Sequence, residues 1–307
     1  MNSSHRPEPY FEWFYFHFVT DDGAAINLVL HETDIFGLKL EPYLSLSFLE
    51  PGQKPRYLRP GLYDGAIARE RPYLEVGEGL ITESLSNICL DIDFPTQGMF
   101  RAEISKLAPP LVIEDGILYE EPRTGRLSHW IVQVPHATFT GILQLDGVAR
   151  RLRGVAYQDH QWGTVLIQEF VSDWVWGHFS NDQVVVVFFQ ILTQTGKQIE
   201  RVAMLNDEGR FTGTTVKTDH LGTLYQADRL EALWTKASVS FLNQCFQLEL
   251  HISPENLMRS HLDEEHGDNM ASYLRWMAEG DLLAGNIHEP LYGVIEYLRL
   301  RPIMVTG

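Results

Sequence analysis

The sequence predicts an all-β chain of two tandem antiparallel β-barrels, with one short helix in the second. Three observations predict it: a length of 307 residues, apolar and polar residues alternating with period two between turn residues, and an internal repeat. A domain usually runs about 100–200 residues, so the chain has room for two, placed at 1–165 and 166–307. Hydrophobic residues at 44% and charged residues at 21% are the balance of an ordinary folded chain.

The alternation comes in runs bounded by Gly, Pro, Asn and Asp, the pattern of strands joined by hairpins. Residues 10–19 turn at Asp21-Asp22-Gly23 into 25–32, and 42–49, 87–94, 99–107, 128–134 and 137–145 continue the series. In the second half the runs are 183–192, 198–205, 210–216, 237–252 and 282–300. Residues 268–277, preceded by the acids at 263–265, supply the predicted helix.

The repeat is specific. Glu12-Trp13-Phe14-Tyr15-Phe16-His17-Phe18 matches Asp173-Trp174-Val175-Trp176-Gly177-His178-Phe179, and Leu152-Arg153-Gly154-Val155 near the end of the first half matches Leu291-Tyr292-Gly293-Val294 near the end of the second. Each half therefore opens on a Trp-rich strand and closes on a Gly-Val strand. Because side chains alternate along a strand, Trp13, Tyr15 and His17 share one face, as do Trp174, Trp176 and His178. Barrels of about eight strands can enclose one small ligand. Seven Trp, twelve Tyr and sixteen Phe suit an apolar or conjugated one.

Charge excludes other partners. A net charge of −17 repels nucleic-acid phosphates and anionic lipid surfaces, so neither is expected. Cys89 and Cys245 lack the spacing of a disulfide framework or a thiolate metal site, which fits a cytoplasmic protein. The polar start, with Pro7 and Pro9, carries no apolar signal segment, and the run at 184–192 falls short of the ~20 residues that span a bilayer. His261, Asp263, Glu264, Glu265, His266 and Asp268 are metal-ligand types at the wrong spacing for a helical site, so no metal is expected.

Ala156-Tyr157-Gln158-Asp159-His160-Gln161-Trp162-Gly163, followed by Trp174-Val175-Trp176-Gly177-His178, resembles the lipocalin-like superfamily of AttH proteins, carotenoid 1,2-hydratases and fungal decalin-forming Diels–Alderases. Glu12-Trp13-Phe14-Tyr15 resembles the start of the same superfamily. The resemblance implies lipocalin-like barrels, a hydrophobic polyene, polyketide or isoprenoid substrate held within or between them, and no cofactor. Val175 between the tryptophans and His160 after the acid place the chain nearer the Diels–Alderase and AttH patterns than the hydratases. The implied activity is a cyclase of natural-product biosynthesis acting as a monomer or homodimer, with hydration or a non-enzymatic carrier role as alternatives.

Catalytic candidates are Asp159, His178 and Trp176; Trp174, Tyr157, Trp162, His160, Trp13, Tyr15 and His17 are candidates for substrate binding. A buried Asp159 would be held protonated and serve as an acid or a donor; otherwise it anchors a turn. Trp174 and Trp176 either stack on a π system and stabilise positive charge, or pack a core. His178 and His17 either polarise a carbonyl or are satisfied core histidines. Adjacent Asp159 and His160 point to opposite faces, so they form no dyad. Glu12 and Asp173, off the Trp face, are expected to face solvent or pair with arginine.

Overall fold

The computed structural model describes residues 9–33, 43–58, 68–70, 73–76, 79–206, 209–213, 217–219, 237–240, 247–259, 271–284 and 287–300. Two compact units divide the chain, Met1–Ile167 and Gln168–Gly307. Among the described residues each is built on one antiparallel sheet, and no helix is long and apolar enough to cross a membrane.

In spatial order the first sheet runs β4 (Arg56–Leu58), β3 (Tyr43–Leu49), β2 (Ala25–Thr33), β1 (Phe11–Thr20), β12 (Val148–Gly163), β11 (Leu127–Leu145), β9 (Gly98–Lys106), β8 (Asn87–Phe94), β7 (Gly79–Glu83), β6 (Tyr73–Val76) and β5 (Ala68–Glu70), with β10 (Ile117–Glu120) on β11. The second runs β16 (Gly209–Gly213), β15 (Gln198–Asn206), β14 (Val185–Thr193), β13 (Val171–Ser180), β21 (Ile287–Leu300), β20 (Ala271–Ala284), β19 (Gln247–Arg259), β18 (Ala237–Ser240) and β17 (Lys217–Asp219). Both are meanders in which the first strand pairs with the last, the connectivity of an up-and-down barrel. Among the described residues the barrels are open paths, with edges at β4 and β5 and at β16 and β17. The segments 59–67 and 214–216, which follow β4 and β16, lie outside the described residues.

Local chemistry explains the long hairpin at the heart of the first sheet. Asp146 and Gly147, at φ 49° and 80°, make the tight Asp-Gly turn between β11 and β12. The runs predicted at 128–134 and 137–145 are one strand. Pro135, which cannot donate to the ladder, falls where the register shifts between Val134 and Ala137, a bulge that tolerates it.

The helix expected at 268–277 is overturned. Ala271–Ala284 is β20, paired along its length with β21, and 268–270 lie outside the described residues. Short apolar runs fit either period, and here Trp276 and Ala278 enter the core on the alternation of a strand. The run 282–300 likewise holds the end of β20 and all of β21. The only α-helix among the described residues is a single turn, α1 (Ile167–Phe170), between β12 and β13.

One face of each sheet carries the apolar core. Phe16, Phe18, Ile26, Leu28, Phe100 and Phe139 belong to the first cluster, and Val175, Phe179, Phe188, Trp276 and Ile295 to the second. Phe18 and its repeat partner Phe179 are both fully buried. The repeated glycines have a shared reason as well. A Cβ on Gly154 would lie 2.0 Å from the Val19 carbonyl oxygen, and one on Gly293 would lie 1.9 Å from that of His178. Gly154→Ala and Gly293→Ala are each expected to destabilise by about 1–3 kcal/mol through forced backbone displacement, read as a lower denaturant midpoint. An unchanged midpoint in either variant refutes this account.

Candidate functional site

The Trp-rich rows lie on the face opposite the core cluster in both units, and they are buried there. In the first unit β1 lies between β2 and β12, so three rows of side chains run across the sheet. His31, Trp13, Gln161 and Trp130 form one row; Val29, Tyr15, Asp159 and Val132 the next; Asn27, His17 and Tyr157 the third. None of Trp13, Tyr15, His17, Asn27, Trp130, Tyr157, Asp159 and Gln161 is more than 7% exposed.

Hydrogen bonds order this patch. The Asn27 Oδ1 accepts from the Tyr15 hydroxyl at 2.8 Å and meets His17 Nδ1 at 2.7 Å, so His17 carries a proton on Nδ1. Asn27 Nδ2 donates to the Ser47 hydroxyl at 3.3 Å. The Tyr157 hydroxyl donates to Asp159 Oδ2 at 2.9 Å, and the Tyr15 and Tyr157 rings meet edge-on at 6.3 Å. A carboxyl, two phenols, an imidazole and a carboxamide thus converge beside the row that holds Trp13 and Trp130. Such a set can donate to a carbonyl, stabilise an enolate or pass a proton.

The second unit repeats the geometry with different chemistry. Trp174 lies between Ile191 and Leu298, Trp176 between Phe189 and Glu296, and His178 between Val187 and Val294. Glu296 is paired in turn with Arg275 of β20, Nη2 to Oε1 at 2.5 Å, both side chains under a tenth exposed. Trp174 packs on Phe189 with ring centroids 5.8 Å apart, and its indole N–H has no hydrogen-bond partner among the described residues.

The register also uncovers a counterpart that the motif comparison misses. Tyr15 faces Asp159 and its repeat partner Trp176 faces Glu296, so the two acids occupy equivalent places. A two-residue slip of β21 relative to β12 hides this from alignment on the glycines. Being even, the slip leaves every side chain on its face.

Of the predicted site residues, the fold brings Trp13, Tyr15, His17, Tyr157 and Asp159 together, and groups Trp174, Trp176 and His178 in the second unit. His160 and Trp162 lie on the core face. There Phe14, His160, Trp162 and His129 stack in series at centroid separations of 4.1, 4.4 and 4.8 Å. Burial pushes the His129 pKa down and charge on His160 adds to this, against a hydrogen bond that the ring donates to the Gly116 backbone carbonyl.

Glu12 departs from expectation, and Asp173, buried but paired with Arg299, meets the arginine alternative. Glu12 is fully buried, taking a bond from the Tyr10 hydroxyl at 2.7 Å and lying 2.7 Å from His160 Nε2. Asp173, 4% exposed, accepts from the Tyr297 and Ser172 hydroxyls at 2.9 and 2.7 Å, with Arg299 Nε at 3.7 Å. Both acids fasten the opening strand of their unit to the closing one. The acidic cluster of 261–268 lies outside the described residues, as does Cys245; among the described residues no group of three or more His, Cys, Asp or Glu side chains is placed to hold a metal. Asn27, Trp130, Ser128 and Gln161 are missed by sequence reasoning. Alternation puts Gln161 on the face of Asp159, but only strand pairing sets it between Trp13 and Trp130.

No family model matches the chain, and no curated protein matches its sequence. Solved structures do. The AttH protein NE1406 from Nitrosomonas europaea superposes with a TM-score of 0.69 at 14% identity, over 97% of this chain and 98% of that one. The chain has the AttH fold. Kievitone hydratase from Nectria haematococca shares it with a TM-score of 0.63 at 13% identity, over 94% of this chain and 88% of that one. So does CghA, solved with Sch210972, with a TM-score of 0.67 at 13% identity, over 95% and 88%. The AttH fold is the one that the Tyr157–Gly163 and Trp174–His178 motifs resemble, while identities this low leave the activity to be argued from the residues.

Proposed function

We propose that this chain is an enzyme that binds a linear hydrophobic polyene and promotes its intramolecular cyclisation, a Diels–Alder or related pericyclic step, without a cofactor. The observation that carries the reading is the patch in which Asp159, Tyr157, Tyr15, His17 and Asn27 are buried and hydrogen-bonded on the Trp face rather than in the apolar core. A barrel core needs no such polar set, and buried polar networks are retained where they specify something. Pericyclic chemistry asks for little beyond a held conformer and a hydrogen bond to a carbonyl. Orientation alone can supply on the order of 7 kcal/mol or more.

A second reading is proton-initiated hydration or cyclisation of an isoprenoid with Asp159 as the acid. The burial of its carboxyl at 2% exposure favours it, as does a solved structure of like fold named a hydratase. The test begins with mass analysis of the apolar compound that copurifies with the protein, followed by turnover assays on it. Trp176→Leu, His178→Phe and Asp159→Leu are each expected to slow turnover while the circular dichroism stays that of the parent. Folded variants that all turn over at the parental rate refute the site assignment, and a compound returned unchanged after long incubation points to a carrier.

A further inference from the structure

Two buried polar atoms in the rows beyond Asp159 on the Trp face lack a hydrogen-bond partner among the described residues: Oε1 of Gln161, in a residue 7% exposed, and Oγ of Ser128, in a residue with no exposure. Buried polar groups in native proteins are overwhelmingly paired, and one left unpaired costs about 1–3 kcal/mol. Two such atoms in one place call for a cause. They are close. Gln161 is opposite Trp130 on β11, and Ser128 is two residues along from Trp130 on the same face, so the pair are diagonal neighbours across one strand pairing. Gln161 is also flanked by Trp13 on β1, so its carboxamide is set between two indoles, with Asp159 two residues along the same face. The carboxamide offers an acceptor and a donor and the hydroxyl can act as either, while the indoles offer flat apolar surface.

We propose that Gln161 and Ser128 form the recognition site for the polar end of the ligand, a planar group carrying both a donor and an oxygen acceptor, such as a carboxamide, a carboxylic acid or an enolised dicarbonyl. The ligand N–H or O–H donates to Gln161 Oε1, the Ser128 hydroxyl donates to the ligand oxygen, and Trp13 and Trp130 flank the plane. The inference rests on the ligand-binding reading above and adds the chemistry of the end that is anchored. Discrimination then comes from the protein side, since a ligand lacking the donor leaves the buried carboxamide unpaired.

The experiment measures binding of 2-naphthamide and of 2-isopropylnaphthalene, alike in shape but differing in polarity, to the full-length protein and to Gln161→Leu and Ser128→Ala. The parent is expected to bind the amide about tenfold more tightly than the hydrocarbon. Gln161→Leu should erase that preference by weakening the amide alone, and Ser128→Ala should reduce it. The thermal midpoint of ligand-free Gln161→Leu should equal or exceed that of the parent, because the substitution removes an unpaired buried polar group. A midpoint several degrees lower marks Gln161 as structural and overturns the inference. Equal affinity of the parent for both probes overturns it too, while leaving the apolar-ligand reading intact. Binding of neither probe overturns both.

Discussion

Replacing Arg275 by methionine is expected to destabilise the protein by about 3–5 kcal/mol, seen as a lower denaturant midpoint at unchanged slope. Its guanidinium is 2.5 Å from Glu296 with both side chains under a tenth exposed, so the substitution leaves a carboxylate buried without its counter-charge. The pair crosses from β20 to β21, and loosening it acts on the strand that pairs with the row of Trp174, Trp176 and His178. The double variant Arg275→Met/Glu296→Leu is expected to recover most of the loss, because it removes both charges and the desolvation of each. Losses that simply add in the double variant would show that the two side chains are not coupled.

The second large effect is on turnover. Asp159→Leu is expected to lower the rate by about 10²–10³-fold through loss of the group that can donate to a developing oxyanion. Asp159→Asn separates the chemistries, because a carboxamide still donates a hydrogen bond but cannot hand over a proton. In a pericyclic route Asn recovers part of the rate and no solvent deuterium enters carbon. In a proton-initiated route Asn is as slow as Leu and deuterium appears at the protonated carbon. A parental rate in both variants would remove Asp159 from the chemistry altogether.

Much of this site is legible in sequence because period-two alternation maps directly onto sheet faces. Alternation alone puts Trp13, Tyr15 and His17 on one face of β1 and Tyr157, Asp159 and Gln161 on one face of β12, and the register sets the two groups side by side. What alternation cannot give is the neighbour across the ladder. Asn27, which orients Tyr15 and His17, sits on β2 in a run that reads as ordinary strand, and only the register opposite His17 reveals its role. The burial of Glu12 escapes sequence reading for the same reason: a position off the Trp face suggests solvent or an arginine partner, whereas that face is the core, and His160 and Tyr10 make its carboxylate tolerable there. The strand at Ala271–Ala284 shows the opposite failure, a short apolar run whose pattern fits both periods and whose pairing with β21 settles the matter.

By itself the sequence determined the all-β class, the duplication, the glycines at 154 and 293 and the sharing of faces, because these follow from residue chemistry and a two-residue period. Tertiary structure alone determined which face is the core, that Glu296 occupies the place of Asp159 with Arg275 neutralising it, and that Gln161 is buried between two tryptophans. Those facts depend on strand register, in part between segments more than a hundred residues apart, and a two-residue slip alters partners while leaving every face, and so every sequence pattern, unchanged.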